Sequence, residues 1–268
     1  MYSYSMRGID SVYHRRTQNL YCHEPFPLPS PPIRLLSLFS PSPPPRWIAH
    51  IDAGGVGPDK EDVMIKPGES AQFHTGINGG GLSATRFWPK MGCDATGSNC
   101  TVGSSGGPGE GCVVRRPGKD DDYSNCAPPV DTKFEATFAA PGSGTQDCVD
   151  MSLVDGYSLP FKMEVSGGKC TRHLQPFDGM DCSNLTVALC PTAERLDNAT
   201  QNLNAIDPKT GKQGGCYSPC MKLTDDKWNP KGTAVAPDSS VAGQYCCAGA
   251  WGNPSSCNAG AILKVCLG

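Results

Sequence analysis

The chain has 268 residues, 18% of them charged, and its formal net charge at pH 7 is −3. This length allows a sizeable core in one or two domains. No apolar run approaches the ~20 residues that a membrane-spanning helix needs, so a helical membrane protein is excluded. Residues 1–46 hold five arginines, which leaves 18 basic and 24 acidic side chains in the remainder. This net-acidic body argues against a nucleic-acid-binding surface.

Residues 1–46 differ in composition from the rest of the chain. Nine prolines lie between Pro25 and Pro45, and no helical or strand period is visible. We therefore expect a disordered segment, or one foreign to the domain. The apolar stretch from Leu35 to Phe39 is too short for a signal peptide, so no signal peptide is recognisable.

From Trp47 onward the pattern is typical of short, frequent β-strands. Apolar side chains alternate with polar ones at Phe134, Ala136 and Phe138, so these three should point inward and Glu135 outward. Residues 149–154 and 161–165 resemble two strands around a turn. The sequence predicts an all-β fold with a β-sandwich core over residues 47–166.

Residues 167–268 change to loops and closely spaced cysteines. We assign them to a disulfide-rich loop region, with short helices expected at 183–189 and 193–202. Such a region buries little apolar surface, so its stability should come from crosslinks worth ~2 to 4 kcal/mol each.

Fourteen of the 15 cysteines lie between Cys93 and Cys266. Zinc sites favour Cys-x-x-Cys pairs, which do not occur here, and His173 is the one histidine in this part of the sequence. We therefore predict disulfides, no metal and no cofactor, and an oxidising secretory route. Three N-glycosylation sequons agree with secretion, at Asn99, Asn184 and Asn198.

Several motifs, in order, resemble those of the thaumatin-like family. The most specific is Asp150-Met151-Ser152-Leu153-Val154-Asp155-Gly156-Tyr157, which resembles D-x-S-L-V-D-G-F. The others are Lys66 to Ser70, Arg86-Phe87-Trp88 with Gly92-Cys93, Pro128-Pro129 with Thr132 to Glu135, and Gln244 to Cys247. The resemblance covers about residues 62 to 266 and implies a thaumatin-like β-sandwich with disulfide-rich loops.

The same comparison implies a chain truncated at both ends, because the family's first and last strands are not recognisable. We expect such a chain to fold poorly alone, with Cys170 lacking its family partner. The alternative is that residues 1–61 supply a replacement strand, for instance through residues 47–51.

The resemblance also implies a set of disulfides. Its pairs are Cys93 with Cys100, Cys182 with Cys266, Cys190 with Cys216, Cys220 with Cys246, and Cys247 with Cys257. A bridge between Cys112 and Cys126 is suggested by proximity alone, and Cys148 and Cys170 stay unassigned.

Family members line an acidic cleft with an Arg, a Glu and three Asp. The matching residues here are Arg86, Glu135, Asp150 and Asp155, and the fifth position falls at Gly268. Taken alone, each carboxylate has an ordinary explanation as a turn residue or an outward strand residue.

Clustered carboxylates suit sugar chemistry, because like charges raise one another's pKa and let one group stay protonated. If the cleft hydrolyses glycans, Glu135 would be the general acid and Asp155 the base or nucleophile. Arg86 and Asp150 would bind substrate and tune both groups. Trp251 is our candidate for an exposed sugar platform, whereas the aromatic residues beside the cleft motifs should be mostly core.

The leading hypothesis is a secreted, monomeric defence or cell-wall protein that binds β-1,3-glucan, with weak endo-glucanase activity left open. The alternative is a non-catalytic protein that uses its crosslinked loops to inhibit a foreign hydrolase or to perturb fungal membranes.

Overall fold

The structure is a computed structural model. It describes residues 2–7, 20–23, 34–39, 46–52, 55–56, 62–75, 80–105, 112–140, 143, 147–166, 169–172, 175–177, 179–182, 184–225 and 232–246.

The described residues form mainly strands, which confirms the all-β prediction. The strands of the first half are β1 (Tyr2–Arg7), β2 (Leu20–His23), β3 (Arg34–Phe39), β4 (Arg46–Asp52), β5 (Gly55–Val56), β6 (Asp62–Ile65), β7 (Ser70–Thr75), β8 (Leu82–Lys90) and β9 (Lys133–Phe138). Those of the second half are β10 (Asp147–Ser152), β11 (Gly156–Tyr157), β12 (Phe161–Ser166), β13 (Lys169–Arg172), β14 (Gln175–Phe177), β15 (Gly179–Cys182), β16 (Glu194–Leu196), β17 (Ala199–Gln201), β18 (Asn204–Ile206) and β19 (Gln213–Tyr217).

Helices are short in the described ranges. They comprise a 3-10 turn at Val187–Leu189, α1 (Pro219–Thr224) and α2 (Gly243–Cys246). With six and four residues, neither α1 nor α2 has the length to cross a membrane, and no other described helix does.

Two large sheets make up the sandwich. One has five strands in the order β15-β12-β1-β3-β7, and the other has the order β14-β13-β2-β10-β9-β8-β4-β5, with β6 paired to β4. The neighbours pair antiparallel, apart from the parallel pair β1 and β3. Strands β8, β9 and β10 therefore lie side by side in the larger sheet.

The main core is built from side chains of both sheets. In β9, Phe134, Ala136 and Phe138 are buried, whereas Lys133 and Glu135 are partly exposed, which confirms the predicted alternation. Phe87 of β8 packs near Phe134, with ring centroids 6.0 Å apart. Further members come from β7, β10, β12 and β15, namely Phe73, Met151, Phe161, Met163 and Cys182.

The disordered or foreign character expected for residues 1–46 stays a prediction, but three described stretches of this segment form strands β1, β2 and β3. Strand β1 lies between β3 and β12, and β2 lies between β10 and β13. A strand between two neighbours is held by backbone hydrogen bonds on both sides, so it can form without a visible sequence period. The alternative was that residues 1–61 supply a replacement strand, for instance through residues 47–51. Strand β4 includes these residues and pairs with β6 and β8, which agrees with that alternative.

Residues 193–202 form a β-hairpin rather than the helix we expected. Glu194 and Leu196 are buried and Arg195 is exposed, a period of two that fits a strand. Asp197 adopts a left-handed φ of 53° at the turn into β17. The period of two and this turn exclude a helix here.

The described cysteines include four disulfides. They join Cys93 to Cys100, Cys112 to Cys126, Cys190 to Cys216, and Cys220 to Cys246. Three of these pairs are those implied by the resemblance, and the pair of Cys112 with Cys126 is the one suggested by proximity alone. The expected pairs of Cys182 with Cys266 and of Cys247 with Cys257 involve residues outside the described ranges. The register of β13 on β2 places Cys170 opposite Cys22.

A second core lies in the cysteine-rich part, so this part buries more apolar surface than we expected. The second core contains Val130, Tyr157, Leu185, Leu196, Leu203, Ala205, Tyr217 and the Cys190 and Cys216 pair. Strand β11 pairs with β19, which pairs with β18, so this small sheet connects the second core to the sandwich.

Candidate functional site

The candidate site lies on the polar face of β8, β9 and β10. Register places Arg86 opposite Glu135, and Glu135 opposite Asp150. The Arg86 Nε donates to Glu135 Oε1 at 2.7 Å, and these side chains are 51% and 24% exposed. Three of the residues predicted from the family resemblance therefore fall in one row across adjacent strands.

Asp155 lies at the end of the same region and pairs with Lys133. The Lys133 ammonium contacts Asp155 Oδ2, and the two side chains are 18% and 23% exposed. Lys133 precedes Glu135 by two residues in β9, so both side chains are on one face of the strand. We name the side chains of Arg86, Glu135, Lys133 and Asp155, together with the register position of Asp150, the charged face.

Lys133 was missed in the sequence analysis, although the signal was present. A residue two positions before an outward-facing glutamate in a strand must share its face. Burial acts to lower the pKa of Lys133, but the charges of Asp155, Asp131 and Glu135 outweigh it and hold the pKa above its ordinary value. Lys133 is therefore a permanent cation among the carboxylates.

The Asp155 loop is held in place by the cysteine-rich part. The Ser218 N–H donates to the carbonyl of Asp155 at 3.1 Å, and the Ser218 hydroxyl donates to the carbonyl of Val154. Ser218 is also the N-cap of α1, where its Oγ accepts from the Met221 N–H at 3.0 Å. The position of Asp155 thus depends on β19 and α1.

Two buried ionisable side chains lie near the charged face. Asp131 is 1% exposed and accepts a hydrogen bond from the Ser105 hydroxyl through Oδ2, whereas its Oδ1 is buried without a hydrogen-bond partner. Lys90 is also 1% exposed and binds Asp62 at 3.1 Å. Burial raises the pKa of Asp131, and the nearby Lys133 and the Ser105 hydrogen bond offset only part of this effect.

The raised pKa of Asp131 gives a testable pH dependence. The folded protein keeps the proton of Asp131 at pH values where the unfolded chain has lost it, so the contribution of Asp131 to the free energy of unfolding is largest below the ordinary pKa. This contribution is lost as the pH rises from the ordinary pKa to the raised pKa. The side chain introduced by Asp131→Asn is neutral at every pH and can still accept a hydrogen bond from Ser105. The free energy of unfolding of this variant should therefore not fall over this pH window.

The measurement is urea unfolding of both proteins at pH 4 and pH 7. Other groups contribute equally to both, so the comparison isolates Asp131. An identical change in the free energy of unfolding in the two proteins would contradict the buried-carboxylate interpretation.

The aromatic residues near the motifs belong to the core, as expected. Phe87, Trp88, Tyr157 and Phe161 are buried, and Trp88 donates its indole N–H to the carbonyl of Gly103 at 2.9 Å. They offer no stacking surface to a sugar. Trp251 lies outside the described residues.

The arrangement alternates donors and acceptors on a partly exposed face of the sheet. A guanidinium bound to a carboxylate presents N–H groups and carboxylate oxygens side by side, which complements hydroxyls that both donate and accept. In the ranges that the structure covers, His, Cys, Asp and Glu form no cluster of three that could hold a metal ion. The adjacent donors and acceptors of the charged face are best suited to bind a hydroxyl-rich ligand.

Comparison with known proteins gives one family match, to the model of the Thaumatin family over residues 45–266. Thaumatin-like protein 1 of Pyrus pyrifolia is 29% identical over 67% of this chain and 57% of its own length. Pathogenesis-related 5 protein Cup a 3 of Hesperocyparis arizonica is 28% identical over 77% of this chain and 72% of its own length. A protein named glucan endo-1,3-beta-glucosidase, from Prunus avium, is 30% identical over 64% of this chain and 54% of its own length. The chain thus spans between about half and three quarters of these relatives.

Proposed function

Because the chain belongs to the thaumatin family, we propose that it is a secreted defence or cell-wall protein that binds β-1,3-glucan on the charged face. The observation that carries the proposal is the Arg86 and Glu135 pair, 2.7 Å apart and aligned with Asp150 in adjacent strands. Arg86 is half exposed, so a ligand can reach the guanidinium without displacing the core.

Secretion is supported by the disulfides. Crosslinks such as Cys190 to Cys216 persist in oxidising compartments and are rare in the cytosol. Two of the relatives carry pathogenesis-related or glucosidase names, which supports a role in defence against organisms with glucan walls.

Binding is favoured over hydrolysis by the ion pairs. Glu135 contacts Arg86 and Asp155 contacts Lys133, so the two carboxylates suggested as acid and base each bind a cation. Glycoside hydrolysis requires one protonated and one ionised carboxyl group across the scissile bond. If hydrolysis occurs, Glu135 remains our candidate acid and Asp155 our candidate base or nucleophile.

The test compares two glutamates that lie on strands and bind a cation. Glu135→Ala should lower retention on insoluble β-1,3-glucan by about tenfold or more, because it removes a charge-assisted contact worth ~1.5 to 3 kcal/mol. Glu164→Ala is the matched control, since Glu164 of β12 binds Lys162 at 2.9 Å in the other large sheet. It should change retention by less than about twofold, within the range of surface substitutions.

Both variants must show wild-type thermal unfolding for the comparison to hold. Equal losses of glucan retention would remove the charged face from the proposal. A reducing-sugar assay on the retained protein then separates binding from hydrolysis, and absence of retention by the wild type would favour the hydrolase-inhibitor alternative.

A further inference from the structure

Two of the three glycosylation sequons differ in how the fold holds their amide and hydroxyl groups. We propose that Asn198 carries an N-linked glycan in the secreted protein, whereas Asn99, in an equally complete sequon, does not. The inference rests on the secretion in the proposed function and is independent of glucan binding.

Asn198 lies at the tip of the hairpin between β16 and β17. Asp197, Asn198, Ala199 and Thr200 are all exposed. The Asn198 amide donates to the neighbouring Asp197 carboxylate at 3.1 Å, a contact on the surface. The turn is supported from the other side by Tyr245, whose hydroxyl accepts from the Asp197 N–H at 3.1 Å. A glycan on Asn198 would extend from a fixed turn into solvent.

Asn99 lies in a short loop closed by the Cys93 to Cys100 disulfide. Its Nδ2 donates to Asp94 Oδ2 at 2.8 Å. The other oxygen of Asp94 accepts from the Thr96 N–H, the Thr96 hydroxyl and the Ser98 N–H, at 2.9, 2.6 and 3.1 Å. These hydrogen bonds hold the pKa of Asp94 well below its usual range, so the acceptor is ionised at neutral pH.

The hydroxyl of the Asn99 sequon is engaged as well. Thr101 Oγ1 donates to the carbonyl of Met91 at 3.2 Å, and Cys100 between the two sequon residues is buried. A sequon is read through both its amide and its hydroxyl. Asn99 and Thr101 are themselves exposed, so the closed loop restrains both groups through its hydrogen bonds and the disulfide rather than by burial.

Asn184 is intermediate between the two cases. It is exposed, but Leu185 within its sequon is fully buried in the second core. The Thr186 carbonyl also accepts from the Tyr157 hydroxyl at 3.0 Å.

The reaction is a group transfer from a lipid-linked oligosaccharide diphosphate in the secretory pathway. The asparagine Nδ2 forms a bond to C1 of the first sugar, the bond from C1 to the diphosphate oxygen breaks, and Nδ2 loses one proton. At Asn99 this reaction competes with closure of a loop whose cysteines are seven residues apart. Short loops cost little entropy to close, so we expect closure of this loop to precede glycosylation of Asn99.

The experiment uses the full chain behind a cleavable signal peptide in a eukaryotic secretory host. Enzymatic deglycosylation in heavy-oxygen water marks each occupied asparagine, and peptide mass spectrometry reads the occupancy. We expect Asn198 to be occupied in most molecules and Asn99 in fewer than about one in five. Occupancy of Asn99 equal to or above that of Asn198, or secretion with Asn198 unoccupied, would overturn the proposal.

Two further variants test the cause. Asp94→Ala frees the Asn99 amide and keeps the disulfide, and the double variant Cys93→Ser with Cys100→Ser opens the loop. Both should raise the occupancy of Asn99 by at least about threefold and leave that of Asn198 unchanged. Unchanged occupancy of Asn99 in both would show that the closed loop is not the cause. Glucan retention, measured separately after deglycosylation, tests the proposed function alone.

Discussion

Gly156→Ala should destabilise the protein by about 3 kcal/mol or more, a large part of a typical margin of ~5 to 15 kcal/mol. Gly156 has a φ of +134°, a conformation that residues with a side chain rarely adopt. A Cβ at this position would lie 2.0 Å from the carbonyl oxygen of Cys216 and 3.0 Å from the backbone nitrogen of Ser218. Since the obstructing atoms are backbone, β19 would have to move.

Gly118→Ala is the matched control. Gly118 has a φ of +72°, but a Cβ there would meet no atom within 4 Å. The substitution should therefore destabilise the protein only through the strain of a side chain in the left-handed conformation, by about 1 kcal/mol. The measurement is urea unfolding of the oxidised proteins, and equal losses in the two variants would show that β11 and β19 are not closely packed.

Replacing Cys190 and Cys216 by alanine should cost about 3.5 kcal/mol, as the chain-entropy relation gives for a separation of 26 residues. Both cysteines are buried in the second core, so the lost sulfur contacts add to this value. Leu203 and Tyr217, which pack in the same core, should become more accessible as a result.

The matched control removes Cys93 and Cys100, which are seven residues apart. The same relation gives about 2.4 kcal/mol for that loop. Thermal and urea unfolding of the two double variants should rank them in this order. A larger loss from the Cys93 and Cys100 variant would show that the second core does not depend on its disulfide.

Local periods allowed the strands to be predicted, but pairing required the structure. The strands expected at 149–154 and 161–165 exist as β10 and β12, yet they lie in different sheets rather than in one hairpin. The reason is β11 between them, which pairs with β19 from a segment about sixty residues later. Pairing over such distances leaves no local trace in the sequence.

The residues of the candidate site likewise divide into those that the sequence could predict and those that required the structure. Arg86, Glu135 and Asp150 were identified by resemblance, and the register of three strands places them in one row. Lys133 follows from the period of a strand and could have been found. The buried Asp131 could not, because its burial depends on the surrounding packing rather than on any local pattern.

Neither core is complete within one half of the chain. The sandwich core combines Phe73 and Phe87 with Cys182, and the second core combines Val130 and Tyr157 with residues from Leu185 onward. During synthesis, a ribosome that has made only residues 1–166 therefore leaves Tyr157 without most of its partners. The second core cannot close before β19 has been made, and until then its apolar side chains stay exposed and prone to aggregation.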